Sequence, residues 1–159
     1  MKNNKNIKIS VIGLGYVGLP LAVKFGEEYA TIGYDINKLR VKSLCRYKDS
    51  TNELTEKEIK ESTKIKFTSN ENDLHDSNIY IVTVPTPINK FREPNLTPIF
   101  EATKTIAKYL SKGDIVIYES TVYPGCTEDD CVPILEKKSN LKYKKDFTCA
   151  YSPERLVPG

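Results

Sequence analysis

The sequence predicts an α/β fold, with a doubly wound, mainly parallel sheet and helices on both of its faces. Strand-like and helix-like segments alternate along the 159 residues, which is the pattern of parallel strands joined by crossover helices. The first strand-like segment also runs directly into a glycine-rich turn and a helix-like segment. The length is that of one domain able to bury its own core.

The glycine-rich turn is the strongest functional motif. It joins the strand-like Ile7–Ile12 to the helix-like Leu19–Tyr29. Gly13 permits the tight turn, Gly15 lets the backbone approach phosphates, and Gly18 lets helix and strand pack closely. A helix N-terminus adds N–H groups and a partial positive charge. Together these features predict a Rossmann-type site for the pyrophosphate of a dinucleotide.

Asp35 follows the second strand-like segment, Ala30–Tyr34, twenty positions after Gly15. A carboxylate there accepts hydrogen bonds from ribose hydroxyls and repels a 2′-phosphate, so NAD is favoured over NADP. Alternatively, Asp35 caps the helix that starts near Asn37, and both roles can coexist. We interpret Arg40 as a contact to the adenosine side of NAD, with a solvated helix residue as the alternative.

The remaining elements continue the alternation. A polar or proline-rich sequence follows several of the predicted strands, and parallel strands end at one edge of the sheet, where ligands bind; prolines after strands are also ordinary chain-stoppers. We predict helices near Lys38–Tyr47, from about Thr55 with a capping box, at about Pro98–Leu110 and at about Thr127–Lys138, and strands at Ile65–Thr68, Asn78–Val84, Asp114–Glu119 and Phe147–Tyr151.

Composition and charge exclude several classes of partner. The net charge is only +3 and the lysines are interspersed with acids, so we expect no nucleic-acid binding. No apolar run approaches the length of a membrane span, and the N-terminal residues lack the apolar core of a signal peptide. We therefore expect a cytoplasmic protein without membrane insertion.

The four cysteines do not form a recognisable metal or disulfide pattern. Cys45, Cys126, Cys131 and Cys149 lack metal-ligand spacing, and His75 is the one histidine that could join them. We expect reduced, mostly structural thiols and no metal site.

Five segments give the chain a resemblance to a known family. They are Val11–Ala22, Gly33–Asn37, Val82–Pro87, Tyr118–Leu135 and Tyr151–Gly159. With these segments the chain resembles the nucleotide-sugar 6-dehydrogenases of the UDP-glucose/GDP-mannose dehydrogenase family. Within that family, the YPGCT and SPERLVPG sequences are most similar to the UDP-N-acetylhexosamine (GlcNAc or GalNAc) dehydrogenases that serve capsule, Vi antigen and O-antigen synthesis.

The resemblance implies an activity and a cofactor site. Such enzymes oxidise the C6 alcohol of a UDP-sugar to a carboxylate in two NAD-dependent steps, through an aldehyde and a cysteine-bound thioester, and they are homo-oligomers. Thr86 and Ser120 would line the nicotinamide side. The full set of implied NAD-binding residues is Gly13, Gly15, Tyr16, Val17, Gly18, Asp35, Arg40, Pro85, Thr86, Ser120 and Thr121.

The resemblance also implies catalytic and substrate-binding residues. Thr121 would hold the water or hydroxyl engaged in proton transfer, and Glu154 would act as acid/base in thioester hydrolysis. Glu154, Arg155 and Leu156 would contact the sugar nucleotide. A partly desolvated carboxylate at a strand end has a raised pKa suited to general-base work. The alternatives are that Thr121 caps a loop and that Glu154 pairs with Arg155 on the surface.

Two departures from the family pattern bear on these expectations. Pro158 stands where UDP-glucose-specific relatives often carry a second acid, which favours an acetamido sugar. The sequence stops at Gly159, before the family's catalytic lysine, nucleophilic cysteine, dimerising central helix and sugar-nucleotide domain, and no cysteine here matches the nucleophile's motif. We therefore expect residues 1–159 to form one NAD-binding domain that is inactive alone.

Two other functions remain open at the level of sequence. The first is a different Rossmann dehydrogenase, such as a UDP-glucose, hydroxyacid or 6-phosphogluconate-like enzyme. The second is a non-catalytic NAD-binding module, which would bind the cofactor without turnover.

Overall fold

The sheet is parallel throughout and reverses its strand order once. The computed structural model describes residues 7–87 and 94–152. Within these residues, the sheet has six strands in the order β3-β2-β1-β4-β5-β6. The chain runs outward from β1 to β3 and then returns to the other side of β1, which creates a topological switch point between β1 and β4. The strands are β1 (Lys8–Ile12), β2 (Ala30–Tyr34), β3 (Ile65–Thr68), β4 (Ile79–Val82), β5 (Ile115–Tyr118) and β6 (Thr148–Tyr151).

Helices connect the strands, and their bounds differ from the predicted ones by a few residues at most. Thr55 and Glu58 form the predicted capping box, with Thr55 N–H donating to Glu58 Oε2 at 2.7 Å. A 3₁₀ turn at Glu71–Leu74 was not expected from the sequence. The helices are α1 (Gly18–Glu28), α2 (Lys38–Leu44), α3 (Glu56–Glu61), α4 (Thr97–Ala107) and α5 (Val132–Ser139).

The helix predicted at Thr127–Lys138 is not uniform. Its first turn, Thr127–Cys131, is π-helical, and Val132 N–H donates to Thr127 O five residues back. Pro133 follows at the start of α5, where it has no N–H to continue an α-helical ladder and its ring would crowd the carbonyl four residues earlier. The wider turn accommodates that ring.

The core is divided by the sheet into two layers, as the doubly wound prediction requires. Alternate residues of β4 belong to different clusters: Tyr80 and Val82 to one, Ile81 to the other. Side chains alternate across a strand, so these clusters lie on opposite faces. The first cluster includes Ile99, Ile106 and Leu135 from α4 and α5, and the second includes Leu19, Val23, Leu44 and Ile59 from α1, α2 and α3. Helices therefore cover both faces, and the predicted fold class is confirmed.

Helix α1 lies close to the segment that leads into β3, because Gly26 has no side chain. An added Cβ at Gly26 would overlap Ser62 Oγ and lie 2.7 Å from Ile65 Cβ. Ser62 cannot simply turn away, since its buried hydroxyl donates to Val23 O at 2.7 Å. Lys64 N–H donates in turn to Gly26 O at 2.9 Å. Close packing fixes the position of α1, and hence of its N-terminus.

We predict that Gly26→Ala lowers the free energy of unfolding by about 1–3 kcal/mol, the usual cost of overpacking. Alanine is intrinsically the better helix former, so the sign of the change isolates the packing effect. Urea unfolding followed by circular dichroism measures it. Lys24→Ala, on the exposed side of the same helix, serves as the control, and we expect a change within about 0.5 kcal/mol. A stabilised Gly26→Ala variant would contradict this account.

Candidate functional site

A cavity of about 660 Å³ opens at the carboxyl ends of the strands. It spans the switch point between β1 and β4, where open α/β sheets bind ligands, and its size is typical of a cofactor pocket. One side is formed by residues after β1 and β2 and the other by residues after β4 and from α4. Its lining includes Gly13–Gly15, Asp35–Asn37, Arg40, Ser50, Thr51, Thr83–Pro85, Asn95, Thr97, Pro98 and Glu101.

The glycine-rich turn has the geometry expected of a phosphate-binding turn. Gly13 has a φ of +99°, a conformation that L side chains rarely adopt. Gly18 packs so closely that an added Cβ would overlap Gly13 O and the hydroxyl of Thr83. Gly15 faces open space, with no atom within 4 Å of an added Cβ. The turn is thus closed at two glycines and open at the third, where a phosphate can approach the backbone.

The N-terminus of α1 follows the open glycine. Val17 is its N-cap residue and makes no side-chain capping hydrogen bond, and the first turn of α1 contains no acidic residue. The next two helices differ, because side chains of Asn37 and Thr55 cap them. The first turn of α1 therefore presents its N–H groups and partial positive charge without a competing carboxylate, which suits an anion. Tyr16, beside it, is 66% exposed.

Asp35 connects the ends of β1 and β2. Its Oδ2 accepts the N–H of Leu14 at 2.8 Å, and its Oδ1 accepts the N–H of Asn37 at 2.8 Å. The cap of α2 is Asn37, whose Oδ1 accepts the N–H groups of Leu39 and Arg40, so the alternative in which Asp35 caps this helix is wrong. Each carboxylate oxygen has two lone pairs, so Asp35 retains acceptor capacity for ribose hydroxyls in the cavity.

Arg40 is a buried structural residue, and the alternative of a solvated helix residue is wrong. It is 9% exposed. Its Nε donates to Leu14 O at 2.9 Å, and its Nη1 donates to Asp49 Oδ1 at 2.7 Å. The peptide nitrogen of Leu14 is bound by Asp35 and the peptide oxygen by Arg40. The segment after α2, which the sequence marks only as polar, folds over the guanidinium and makes this burial possible.

The loops after β4 and β5 are tied together. Thr86 Oγ1 donates to Thr121 O at 2.8 Å, and Ser120 Oγ donates to Val84 O at 2.8 Å. Ser120 is buried, so its hydroxyl holds the two loops in register. The structure thus brings together Thr86 and Ser120, which were assigned to the nicotinamide side, and Thr121, which was assigned to proton transfer. Pro85 lines the cavity, whereas Tyr16, Val17, Gly18, Thr86, Ser120 and Thr121 are not part of its lining.

Some assignments cannot be placed, and some contributors were missed. Glu154, Arg155 and Leu156 lie outside the described residues.

Thr83 was missed, although it stands at a strand end. It donates to Gly13 O at 2.7 Å and to Ile12 O at 3.1 Å. The contribution of Asp49, Ser50, Thr51 and the start of α4 to the cavity and its support has no local sequence signal beyond polarity.

The cysteine thiols lie away from this cavity's lining. Cys126 and Cys131 are buried, whereas Cys45 is exposed. Burial raises the pKa of the Cys126 and Cys149 thiols to about 12, and burial also raises the pKa of Cys131. A neutral thiol is a poor nucleophile and a poor metal ligand, so these three behave as small apolar side chains.

Two kinds of feature are absent from the described residues, 7–87 and 94–152. No group of three or more His, Cys, Asp or Glu side chains there is arranged to hold a metal ion. Nor is any helix in that part of the chain both long and apolar enough to cross a membrane.

Comparison with known proteins identifies the family of the chain. The sequence profile of the UDP-glucose/GDP-mannose dehydrogenase family, NAD binding domain, matches residues 7–159. The chain belongs to this family. The resemblance inferred from sequence motifs is confirmed, and NAD is the cofactor of the matched domain.

Individual relatives of this NAD-binding domain are nucleotide-sugar dehydrogenases. The UDP-N-acetyl-D-glucosamine 6-dehydrogenase of Pseudomonas aeruginosa is 55% identical over 155 residues, which are 98% of this chain and 37% of the relative. The enzyme of the same name from Salmonella typhi is 52% identical, over 96% of this chain and 36% of the relative. The solved UDP-D-ManNAc dehydrogenase of Pyrococcus horikoshii superposes with a TM-score of 0.90 at 36% identity, covering 96% of this chain and 37% of that one. The chain thus spans little more than a third of these relatives.

The residues present fit NAD. The uncapped first turn of α1 suits the pyrophosphate, and the carboxylate of Asp35 suits ribose hydroxyls. Ile36 lines the same cavity and is 83% exposed, which provides an apolar surface for an adenine ring. Bound NAD would supply a hydride acceptor at its nicotinamide ring.

We predict that alanine separates the roles of two glycines. Gly18→Ala should lower the free energy of unfolding by about 2 kcal/mol or more, because the new Cβ overlaps backbone. Gly15→Ala should leave stability within about 1 kcal/mol of wild type and weaken NAD binding at least about tenfold, because the methyl group occupies the space a phosphate needs. Chemical unfolding and isothermal titration calorimetry measure the two quantities. Equal affinity of Gly15→Ala and wild type for NAD would refute the turn's role.

A second prediction concerns the thiols. At about pH 8, one thiol per folded chain should react rapidly with Ellman's reagent. The other three should react much more slowly until the chain is denatured, because Cys126 and Cys131 are buried, Cys149 is half-buried, and burial raises the pKa of all three thiols. The control is Cys45→Ser, which should abolish the rapid phase. Rapid reaction of a second thiol in the folded state would mean that a cysteine assigned to the core is accessible and activated.

Proposed function

We propose that this chain is the NAD-binding part of a dehydrogenase that oxidises the C6 alcohol of a UDP-N-acetylhexosamine to the corresponding uronate. The observation that carries the proposal is the 52–55% identity, over almost the whole chain, to two UDP-N-acetyl-D-glucosamine 6-dehydrogenases. The acetamido preference is also supported by Pro158, which replaces the second acid often found in UDP-glucose-specific relatives. The product, a nucleotide-linked uronate, suits surface polysaccharide synthesis in the cytoplasm.

The adenosine and pyrophosphate end of this proposed site is formed within the first half of the chain. Asp35 orients the adenosine ribose, and the N-terminus of α1 neutralises the pyrophosphate. Both groups are fixed through the backbone of the glycine turn, Asp35 by its hydrogen bond to Leu14 N–H and α1 by the close packing of Gly18 on Gly13. Rigid placement lowers the entropy lost when the cofactor is aligned with a second reactant.

The nicotinamide end of the proposed site is formed by the tied loops after β4 and β5. The bond from Thr86 to Thr121 O and the bond from Ser120 to Val84 O hold these loops at one spacing. We propose that the Thr121 hydroxyl, which can both donate and accept, orients the water or sugar hydroxyl from which a proton leaves. Glu154 is proposed as the acid/base group and Arg155 and Leu156 as sugar-nucleotide contacts.

The covalent step is proposed to use a thiol other than the four cysteines of this chain. Covalent catalysis needs a thiolate held against the aldehyde, whereas burial keeps Cys126, Cys131 and Cys149 protonated. We therefore propose that residues 1–159 alone bind NAD without turnover, and that the sugar-nucleotide domain and dimerising helix typical of the family complete a homo-oligomeric enzyme.

The first test is the intact mass of the protein produced by its native cell, compared with the 18.0 kDa of this chain. We expect a substantially larger mass. The isolated protein should then form two NADH per molecule of UDP-N-acetylglucosamine or of its galacto epimer, since oxidation of an alcohol to a carboxylate removes two hydrides. The matched control is Gly15→Ala, which should retain the fold and form NADH more slowly than wild type at limiting NAD.

Three results would redirect the proposal. Turnover of UDP-glucose in preference to both acetamido sugars would make the protein a UDP-glucose 6-dehydrogenase. Turnover of a 2-hydroxy acid or 6-phosphogluconate would make it another dehydrogenase with the same cofactor domain. A native mass of 18.0 kDa, with NAD binding and no NADH formation, would make it a non-catalytic NAD-binding module.

A further inference from the structure

We propose that Asp49 is a positioning residue for coenzyme choice: it pairs with Arg40, holds the guanidinium on the carbonyl of Leu14, and withholds its charge from a 2′-phosphate on the adenosine ribose. The chain would thereby exclude NADP by a second device, in addition to the carboxylate of Asp35. The inference depends on NAD binding by this domain and is independent of the sugar substrate.

The position of Arg40 raises the question of coenzyme choice. An arginine near the end of the second strand is the residue with which NADP-binding domains accommodate the 2′-phosphate. Arg40 lines the same cavity as Asp35. A guanidinium binds phosphate strongly and in a planar, two-pronged geometry. An unpaired Arg40 would therefore counteract the repulsion that Asp35 exerts on NADP.

Asp49 is built to carry the opposite charge. Its side chain is inaccessible to solvent. Its Oδ1 accepts Arg40 Nη1 at 2.7 Å and both the N–H and the hydroxyl of Thr51, at 2.9 and 2.7 Å. Its Oδ2 accepts the N–H groups of Glu53 and Leu54, at 2.9 and 3.0 Å. Every contact comes from a donor, so the site requires the carboxylate in its ionised form.

Two opposing effects act on the pKa of Asp49, and their balance favours the ionised carboxylate. Burial alone would raise the pKa of Asp49, but the hydrogen bonds from Thr51, Arg40 and Leu54 outweigh burial and hold it well below its usual range. The pair is therefore charged on both sides at neutral pH. An ion pair at 2.7 Å presents almost no net charge to the cavity.

The remaining hydrogen bonds of Arg40 also run to the chain itself. Nη1 donates to Ser50 Oγ at 3.0 Å and Nη2 to Thr51 Oγ1 at 3.2 Å. Nε donates to the carbonyl of Leu14. Ser50 and Thr51 line the cavity together with Arg40, so the segment that carries Asp49 borders the ligand space beside the guanidinium. These hydrogen bonds hold the guanidinium of Arg40 against the glycine turn and the segment that carries Asp49.

The test is Asp49→Asn, an almost isosteric change that removes the charge. We expect the ratio of dissociation constants, Kd(NADP) over Kd(NAD), to fall at least about tenfold, which corresponds to about one charge-assisted hydrogen bond. Isothermal titration calorimetry with NAD⁺ and NADP⁺ measures both constants on the 159-residue chain. If Asp49 has a purely structural role, Asp49→Asn should weaken the binding of both coenzymes by the same factor. An unchanged ratio of dissociation constants would therefore overturn the proposal.

Two further variants serve as controls for Asp49→Asn. Asp73→Asn removes a carboxylate that pairs with Lys66 at 2.9 Å and does not line this cavity, so its ratio should equal that of wild type. The double variant Asp49→Asn with Arg40→Gln removes both charges, which avoids a buried unpaired guanidinium. Its ratio should return to within about twofold of wild type.

If Asp49→Asn alone does not fold, the double variant still tests whether Arg40 attracts the 2′-phosphate in the native pair. A ratio well above wild type in the double variant would mean that Arg40 already attracts the 2′-phosphate in the native pair, which would overturn the proposal. Failure of wild type to bind NAD at all would instead refute the cofactor function, so the two failures are distinguishable in the same titrations.

Discussion

The backbone of Leu14 is the point on which the cofactor site depends. Asp35 accepts its N–H and Arg40 donates to its carbonyl, so the two peptide groups that flank its Cα are each held by a side chain from beyond β2. Neither peptide can rotate without breaking a hydrogen bond to a charged group, and such bonds are about twice as strong as neutral ones. The orientation of the adjacent Gly15 backbone, and with it the approach of a phosphate, follows from this restraint.

Close packing supplies the second restraint on the same turn. Gly18 allows α1 to lie against Gly13 and Thr83 at a distance that any side chain would prevent. Two different kinds of interaction thus converge on six residues: polar contacts fix the turn from the side of β2, and the absence of a Cβ fixes it from the side of β4. This combination explains why a flexible glycine sequence can form a rigid site.

Much of the fold could be predicted from the sequence because it depends on local or periodic signals. The strands β2 and β3 were predicted with their observed bounds, and the capping box at Thr55 was recognised from its spacing. The location of Asp35 followed from its distance to the glycines, because the length of a βαβ unit is nearly fixed. Family motifs then added the assignments on loops, where no periodicity exists.

What sequence could not provide were contacts between polar residues without a repeating pattern. Arg40 sits on a short helix that looks solvated, and its burial depends on how an irregular segment around Asp49 folds back over it. Such a segment is organised by side-chain-to-backbone hydrogen bonds, whose partners are set by the path of the chain. The π-helical turn before Pro133 was missed for a related reason, since a proline signals a helix start more often than a widened turn.

The hydroxyl of Thr83 bonds to Gly13 O across seventy positions of sequence, and this distance has a consequence for assembly during synthesis. A nascent chain that has emerged only as far as α2 contains the whole glycine motif but not the strand that shapes it. The turn acquires its binding geometry only after β4 docks beside β1, a non-local step whose loop-closure entropy makes it slow relative to helix formation. Competence to hold a dinucleotide therefore arises only once β4 has paired with β1, although the glycine motif precedes β4 in the chain by some seventy residues.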